Sequence, residues 1–242
     1  MSYRIDSDLE FLKNISSSDL DPLVNVLIYN KNGDIRFSEG LTKSIRYQTN
    51  HPDHHEYWDL IAEEIQCFGA NTIATIFRSG IGVPYKEVLV DVCNKFKVEF
   101  NRDDNTEKIE LNLLLKFLEV SMVNLSAEEL KVIVDELNLK TSSYTSQAVI
   151  IALQSTVRLS GFAAYQVAVI VANSVAKAVF GQGLKFATNA ALTRTIGIFV
   201  GPIGWTLTGI WTLYDIAGPA YRVTIPAVIQ VSFLHVKARC EK

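Results

Sequence analysis

Thr195–Tyr214, TIGIFVGPIGWTLTGIWTLY, runs for twenty residues without a charge between Arg194 and Asp215. As a helix it would be about 30 Å long, the thickness of a bilayer's hydrocarbon core. Its eight Leu, Ile, Val and Phe residues are worth about −0.3 to −0.6 kcal/mol each at the bilayer centre, roughly −2 to −5 kcal/mol together. Four Gly, four Thr and Pro202 oppose that sum. Insertion is therefore close to break-even, and the stretch reads as a helix balanced between lipid and protein surroundings.

The segment upstream has the same character. Leu159–Ala176 is eighteen residues without a charge, interrupted by the polar Gln166 and Asn173. Within it Ala164, Ala168, Ala172 and Ala176 recur every four residues, which on a helix makes one row of methyl-sized side chains that another backbone can approach closely. Gly197, Gly201 and Gly204 continue the small-residue pattern in the next segment. These seven residues are the expected helix-packing ridge of a hairpin spanning 159–214. The last apolar run, Val223–Val236, is fourteen residues with Pro226 near its start, too short to span a bilayer and read as a helix entered through proline.

Charge divides the chain in two. Residues 1–144 hold 15 Lys/Arg against 24 Asp/Glu, and residues 145–242 hold 8 against 2, net charges of −9 and +6. Such a split can dock the parts on each other or draw the basic part to an anionic surface. Nucleic acid is not expected, because Arg158, Lys177, Lys185, Arg194 and Arg222 are sparse among apolar neighbours rather than clustered. The domain reading is an acidic helical part, 1–142, followed by a basic, small-residue-rich helical part, 143–242.

The first part alternates helix signals with turn signals. Ser7 with Glu10 is a capping-box pattern, a second helix starts near Ser18 and stops at Asn30–Gly33, and 37–47 carries a weaker helical pattern. Trp58, Ile61, Ala62, Ile65 and Phe68 have amphipathic-helix spacing, with Gly69 as its cap. Asn71 suits the start of a short helix to Gly80, and Pro84 opens another with Val88, Leu89, Val92, Cys93 and Phe96 inward. Helices near 106–122, 127–138 (opened by Ser126 with Glu129) and 145–158 complete the pattern. The fold class is all-α, a bundle of short helices followed by a Gly/Ala-rich apolar helical region.

Chemistry is sparse. His51, His54 and His55 precede Asp59 and Glu63, and a helix beginning near His54 would put His55, Asp59 and Glu63 on one face, a geometry able to hold a divalent metal. The competing reading is a turn leading into a solvated helix face. No G-x-S-x-G elbow is present, and Gly80-Ile81-Gly82 and Gly181-Gln182-Gly183 lack the context of phosphate loops. No catalytic residue and no cofactor is expected. Three cysteines without C-x-x-C spacing and a polar N-terminus point to the cytoplasmic side.

The stretches DSDLEFL (6–12), HPDHHEYWDLIAEEIQCFGANTIA (51–74), YKEVLVDVCNKFKV (85–98) and AYRVTIPAVIQV (220–231) together resemble the YaaW-like family of bacterial proteins. That family is grouped with ubiquinol-cytochrome c chaperones. The resemblance implies a helical protein-binding module and brings no catalytic residues with it. Two readings stand. In the first, a non-enzymatic protein associates with the inner membrane through the 159–214 hairpin, contacting lipid and self-associating into a homo-oligomer. In the second, a soluble chaperone-like adaptor binds a protein partner, with 143–242 as its core.

Overall fold

The computed structural model describes residues 3–30, 32–69, 82–184, 190–213 and 221–241. Among them are ten α-helices and an isolated bridge between Tyr29 and Ile35, with no sheet. The helices are α1 (Ser17–Ile28), α2 (Ile45–Asn50), α3 (Trp58–Gly69), α4 (Tyr85–Lys95) and α5 (Thr106–Met122). They continue with α6 (Ala127–Glu136), α7 (Ser146–Leu159), α8 (Gly161–Phe180), α9 (Ala190–Leu213) and α10 (Tyr221–Cys240). Short 3-10 turns occupy Glu10–Asn14, Leu41–Lys43 and His54–Tyr57. The all-α expectation holds; the helix expected after Asn71 lies outside the described residues.

Side-chain caps set most helix starts, because the first backbone N–H groups of a helix have no partner inside it. Ser16, Asn105, Thr145 and Ser160 accept from the N–H of Asp19, Lys108, Ala148 and Ala163. Ser126 and Glu129 form a reciprocal capping box. α8 ends at Gly181, whose φ of 71° is the left-handed conformation that glycine adopts without penalty.

The expected box at Ser7 and Glu10 does not form. Leu9 and Glu10 instead donate their N–H to the Asp6 carbonyl, and the chain enters a 3-10 turn. Asp6 is the organiser of this corner: its carboxylate accepts from the Tyr85 N–H at 2.7 Å and from Gln66 Nε2 at 3.3 Å. A carboxylate at the start of α4 also meets the positive end of that helix.

Two helices hold the centre. α8 packs against α5, α7, α9 and α10, and α10 packs against α1, α3, α4, α5 and α8. Residues 223–234 of α10 are buried without interruption. Part of the charge split noted in the sequence is met by contacts between the two stretches. Lys237 meets Asp19 at 2.6 Å, Arg194 meets Glu136 at 2.5 Å, Arg239 meets Glu107, and His235 meets Glu110 at 2.9 Å.

Glu110 anchors a polar node inside the core. Tyr85 Oη donates to its Oε1 at 2.6 Å, and His235 Nδ1 lies 2.9 and 3.0 Å from its two carboxylate oxygens. Phe11 stacks on the His235 ring with centroids 3.7 Å apart. Burial and the adjacent carboxylate push the Tyr85 phenol well up, so it stays a donor. α4, α5 and α10 are thereby tied at one point. Removing the carboxylate in Glu110→Ala takes away the acceptor shared by the Tyr85 phenol and the His235 imidazole, at an expected cost of about 3–5 kcal/mol in denaturant unfolding.

A second buried carboxylate behaves differently. Glu64 accepts the Gly40 N–H at 3.0 Å, is 6% exposed, and faces the equally buried Glu39, with Glu63 and Lys43 nearby. Burial raises it from 4.5 to about 7. Between those values the unfolded chain releases a proton that the fold retains, so stability falls as pH rises and levels off above about 7. Glu64→Gln keeps an acceptor for Gly40 and cannot ionise. It is expected to gain up to about 3 kcal/mol over the parent at pH 8 and almost nothing at pH 4, read from urea melts across pH.

Candidate functional site

The small-residue ridge divides. Ala164, Ala168, Ala172 and Ala176 are all buried. Gln230 of α10 donates Nε2 to the Ala172 carbonyl at 3.3 Å, so a side chain from the neighbouring helix reaches the α8 backbone there. Gly204 is half-buried, and a Cβ placed on it would meet Ala178 Cβ at 3.6 Å. Gly197 and Gly201 are exposed, with nothing within 4 Å of such a Cβ. The alanine row is therefore inside the fold, whereas these two glycines lie on its outer surface with Trp205, which is 69% exposed.

The residues of the histidine cluster that could have formed a ligand set are placed apart. His54–Tyr57 is a 3-10 turn preceding α3, so His55 is not in helical register with Asp59 and Glu63. His55 is exposed and gives its backbone N–H to Ser17 Oγ, while Asp59 is engaged by Arg46 at 2.7 Å. His51 is exposed, its Nδ1 3.5 Å from the Tyr57 oxygen and its ring stacked on Tyr47. Among the described residues no group of three or more His, Cys, Asp or Glu side chains is placed to hold a metal.

His54 has instead become a core residue, 1% exposed. Its Nε2 lies 3.2 Å from Asp21 Oδ1 and its Nδ1 2.5 Å from Tyr57 Oη. A carboxylate only accepts, so Nε2 carries the proton and Nδ1 accepts from the phenol. Burial lowers the His54 pKa, against the pull of Asp21, and raises that of Tyr57.

The feature that sequence patterning does not reveal lies along α7. A groove of about 600 Å³ runs between residues 138–141 and the outer face of that helix. Ala148, Ile151, Ala152, Ser155 and Leu159 line it at helical spacing, and Asn138, Lys140, Thr141, Thr156 and Ser160 complete the wall. Leu159 is 87% and Ile151 56% exposed. Phe162, in the first turn of α8, is a further exposed apolar side chain. A signal is present in the alternation of Ala148, Ile151 and Leu159 with Gln147, Gln154 and Arg158. That pattern shows an apolar face on α7 but not what covers it.

The lining combines methyl and isobutyl groups with hydroxyls, an amide and the single ammonium of Lys140. Such a surface can pack against an apolar side chain and hydrogen-bond a neighbouring backbone.

Comparison with known proteins places the chain. A family model described as Ubiquinol-cytochrome C chaperone matches residues 53–229, and a domain of unknown function (DUF3944) matches residues 3–37. A UPF0174 protein of Helicobacter pylori strain J99 is 49% identical over 240 residues, covering 99% of this chain and 94% of that protein. Another, from H. pylori strain 26695, is 35% identical over 209 residues, 84% of this chain and 100% of its own length. The UPF0174 protein YaaW of Escherichia coli K12 is 30% identical over 239 residues, 97% of this chain and 95% of YaaW. No solved structure matches. With whole-length relatives in both genera and a chaperone-family match across residues 53–229, the chain belongs to the YaaW-like UPF0174 family, grouped with the ubiquinol-cytochrome C chaperones.

Proposed function

We propose that this protein is a non-catalytic, chaperone-like module that takes an apolar segment of a partner protein into the groove over α7. The observation that carries this reading is the contrast between α8 and α7. The more apolar helix is enclosed by α5, α7, α9 and α10, while α7 presents Ile151 and Leu159 to solvent beside an open groove. Exposed large aliphatic side chains along one helix face mark a contact surface, and a groove of this kind suits the apolar stripe of an amphipathic helix. The chaperone description of the matching family supports the same conclusion. Partner affinity then comes from apolar burial, with the hydroxyls and the Asn138 amide fixing orientation.

The test is suppression of light scattering by a heat-denatured reporter protein mixed with the full chain. The parent is expected to slow aggregation. Ile151→Glu and Leu159→Glu, both at exposed positions, are expected to weaken that effect by about 5- to 10-fold, the loss of roughly 1–1.4 kcal/mol of apolar contact, with unchanged melting temperatures. Equal suppression by parent and variants removes the groove from the mechanism.

The second reading, membrane association through 159–214, is favoured by one observation. Gly161–Phe180 has the length and the mean hydropathy, 1.5, of a membrane span. Against it, 72% of that window is already buried by the protein itself. Insertion would exchange close packing against four helices for lipid contact at a gain near zero. In flotation with vesicles of phosphatidylcholine and phosphatidylglycerol, the folded protein is expected to stay at the bottom of the gradient. Flotation that resists an alkaline wash would establish the hairpin as a membrane element.

A further inference from the structure

We propose that a second cleft, between α1 and the end of α8, binds a small organic monocation, an alkylammonium whose charged head sits on Asp21. The cleft measures about 400 Å³ and shares no lining residue with the groove over α7. Ser18, Asp21, Pro22, Asn25 and Tyr29 of the α1 side form one wall, and Phe180 with Leu184 stands opposite. Its volume falls in the range of small-molecule sites, which pair apolar walls with a few convergent polar groups.

Asp21 is fixed from behind. His54 Nε2–H donates to Oδ1 at 3.2 Å and Asn25 Nδ2 to Oδ2 at 3.3 Å. The Asp21 side chain remains 46% exposed, on the cleft side, whereas that of His54 is 1% exposed. Both supporting contacts are donors, so the carboxylate is held oriented with lone pairs still open.

Among the described residues the group within ion-pair distance of Asp21 is His54. Burial lowers the pKa of that imidazole, against the pull of Asp21, which disfavours a countercharge on it. An ammonium supplies one, through charge-assisted hydrogen bonds of the kind carboxylates make most strongly. The rest of the cleft selects the chain attached to that head group. Pro22, Tyr29, Phe180 and Leu184 accept a short hydrocarbon chain, and the amides of Asn25 and Gln182 border it.

The opposite wall is built to stay in place. Leu184 N–H donates to Asn173 Oδ1 at 3.2 Å, anchoring the segment after α8 to the helix it leaves. Lys177 lies beside the same segment, its Cε 3.7 Å from where a Gly183 Cβ would stand. A second positive charge on the ligand would be repelled there, which favours a monoamine over a diamine.

Isothermal titration of the full chain with n-pentylamine near neutral pH tests the assignment. Saturable binding is expected, at least about 10-fold tighter than 1-pentanol or magnesium ion, and weaker for 1,5-diaminopentane. Asp21→Asn keeps an oxygen for His54 and is expected to lose at least about 10-fold. Ser18→Phe, at an exposed lip position, fills the cleft while leaving the Asp21 carboxylate and His54 in the sequence, and is expected to abolish binding. Equal affinity for pentanol, preference for magnesium, or undiminished binding by folded Asp21→Asn or Ser18→Phe overturns the proposal. The Ile151→Glu and Leu159→Glu variants are expected to bind pentylamine normally, so failure here is separate from failure of the groove.

Discussion

Twelve successive buried residues in α10, Val223 to Leu234, impose the constraint on which the rest of this structure depends. A helix with a single apolar stripe can be satisfied by one neighbour or by a sheet. One buried on every side needs a ring of partners, and α10 draws its ring from α1, α3, α4, α5 and α8. Those elements are drawn from residue 17 to residue 180 of the chain. The polar groups that α10 carries inward, including Gln230 and His235, must then find partners in the ring. They do so at the Ala172 carbonyl and at Glu110.

The charge asymmetry is a consequence of the same arrangement. An acidic N-terminal stretch and a basic C-terminal one could have signalled attraction to an external polyanion. In the fold, Asp19, Glu107, Glu110 and Glu136 of the first meet Lys237, Arg239, His235 and Arg194 of the second. The exposed pairs each contribute at most about 1 kcal/mol. Their sign pattern matters more than their strength, because it favours one docking of the two stretches over alternatives that would oppose like charges. Lys237 with Asp19 is a well enclosed pair, both side chains 16% exposed. It fixes α1 against the last turns of α10.

Local sequence signals serve well where a helix start depends on one side chain. Ser126 with Glu129, and Pro84 before Tyr85, are where the spacing places them. They fail where the deciding group lies far along the chain. Ser7 and Glu10 have the spacing of a capping box, but Asp6 is needed by Tyr85 and Gln66, and the turn forms around it instead. His55, Asp59 and Glu63 share a face only if the helix begins at His54, and a 3-10 turn breaks that register. Nothing in the spacing marks Glu64 and Glu110 as buried groups, although each falls within the apolar arc of its helix, beside Ile61 and Ile65 or Ile109 and Leu113. Periodicity marks that arc. It does not tell whether a carboxylate within it will meet water, a backbone N–H or an imidazole.

The same limit explains the apolar second half. Length and absence of charge make Leu159–Ala176 and Thr195–Tyr214 equally suited to lipid or to a protein interior, and the small residues are a reason to expect close helix contact in either. The alanines do lie inside the fold. Gly197 and Gly201, however, are exposed, and a glycine on the outer face of a helix contributes backbone rather than hydrocarbon to its surroundings. Among the described side chains of α9, Trp205 is the large exposed one. Ile151 and Leu159 present aliphatic surface beside a concave groove, where a partner side chain is contacted from more than one side. Apolar area is worth more when both surfaces are shaped to exclude water, and this is the ground on which a protein partner at α7 is proposed.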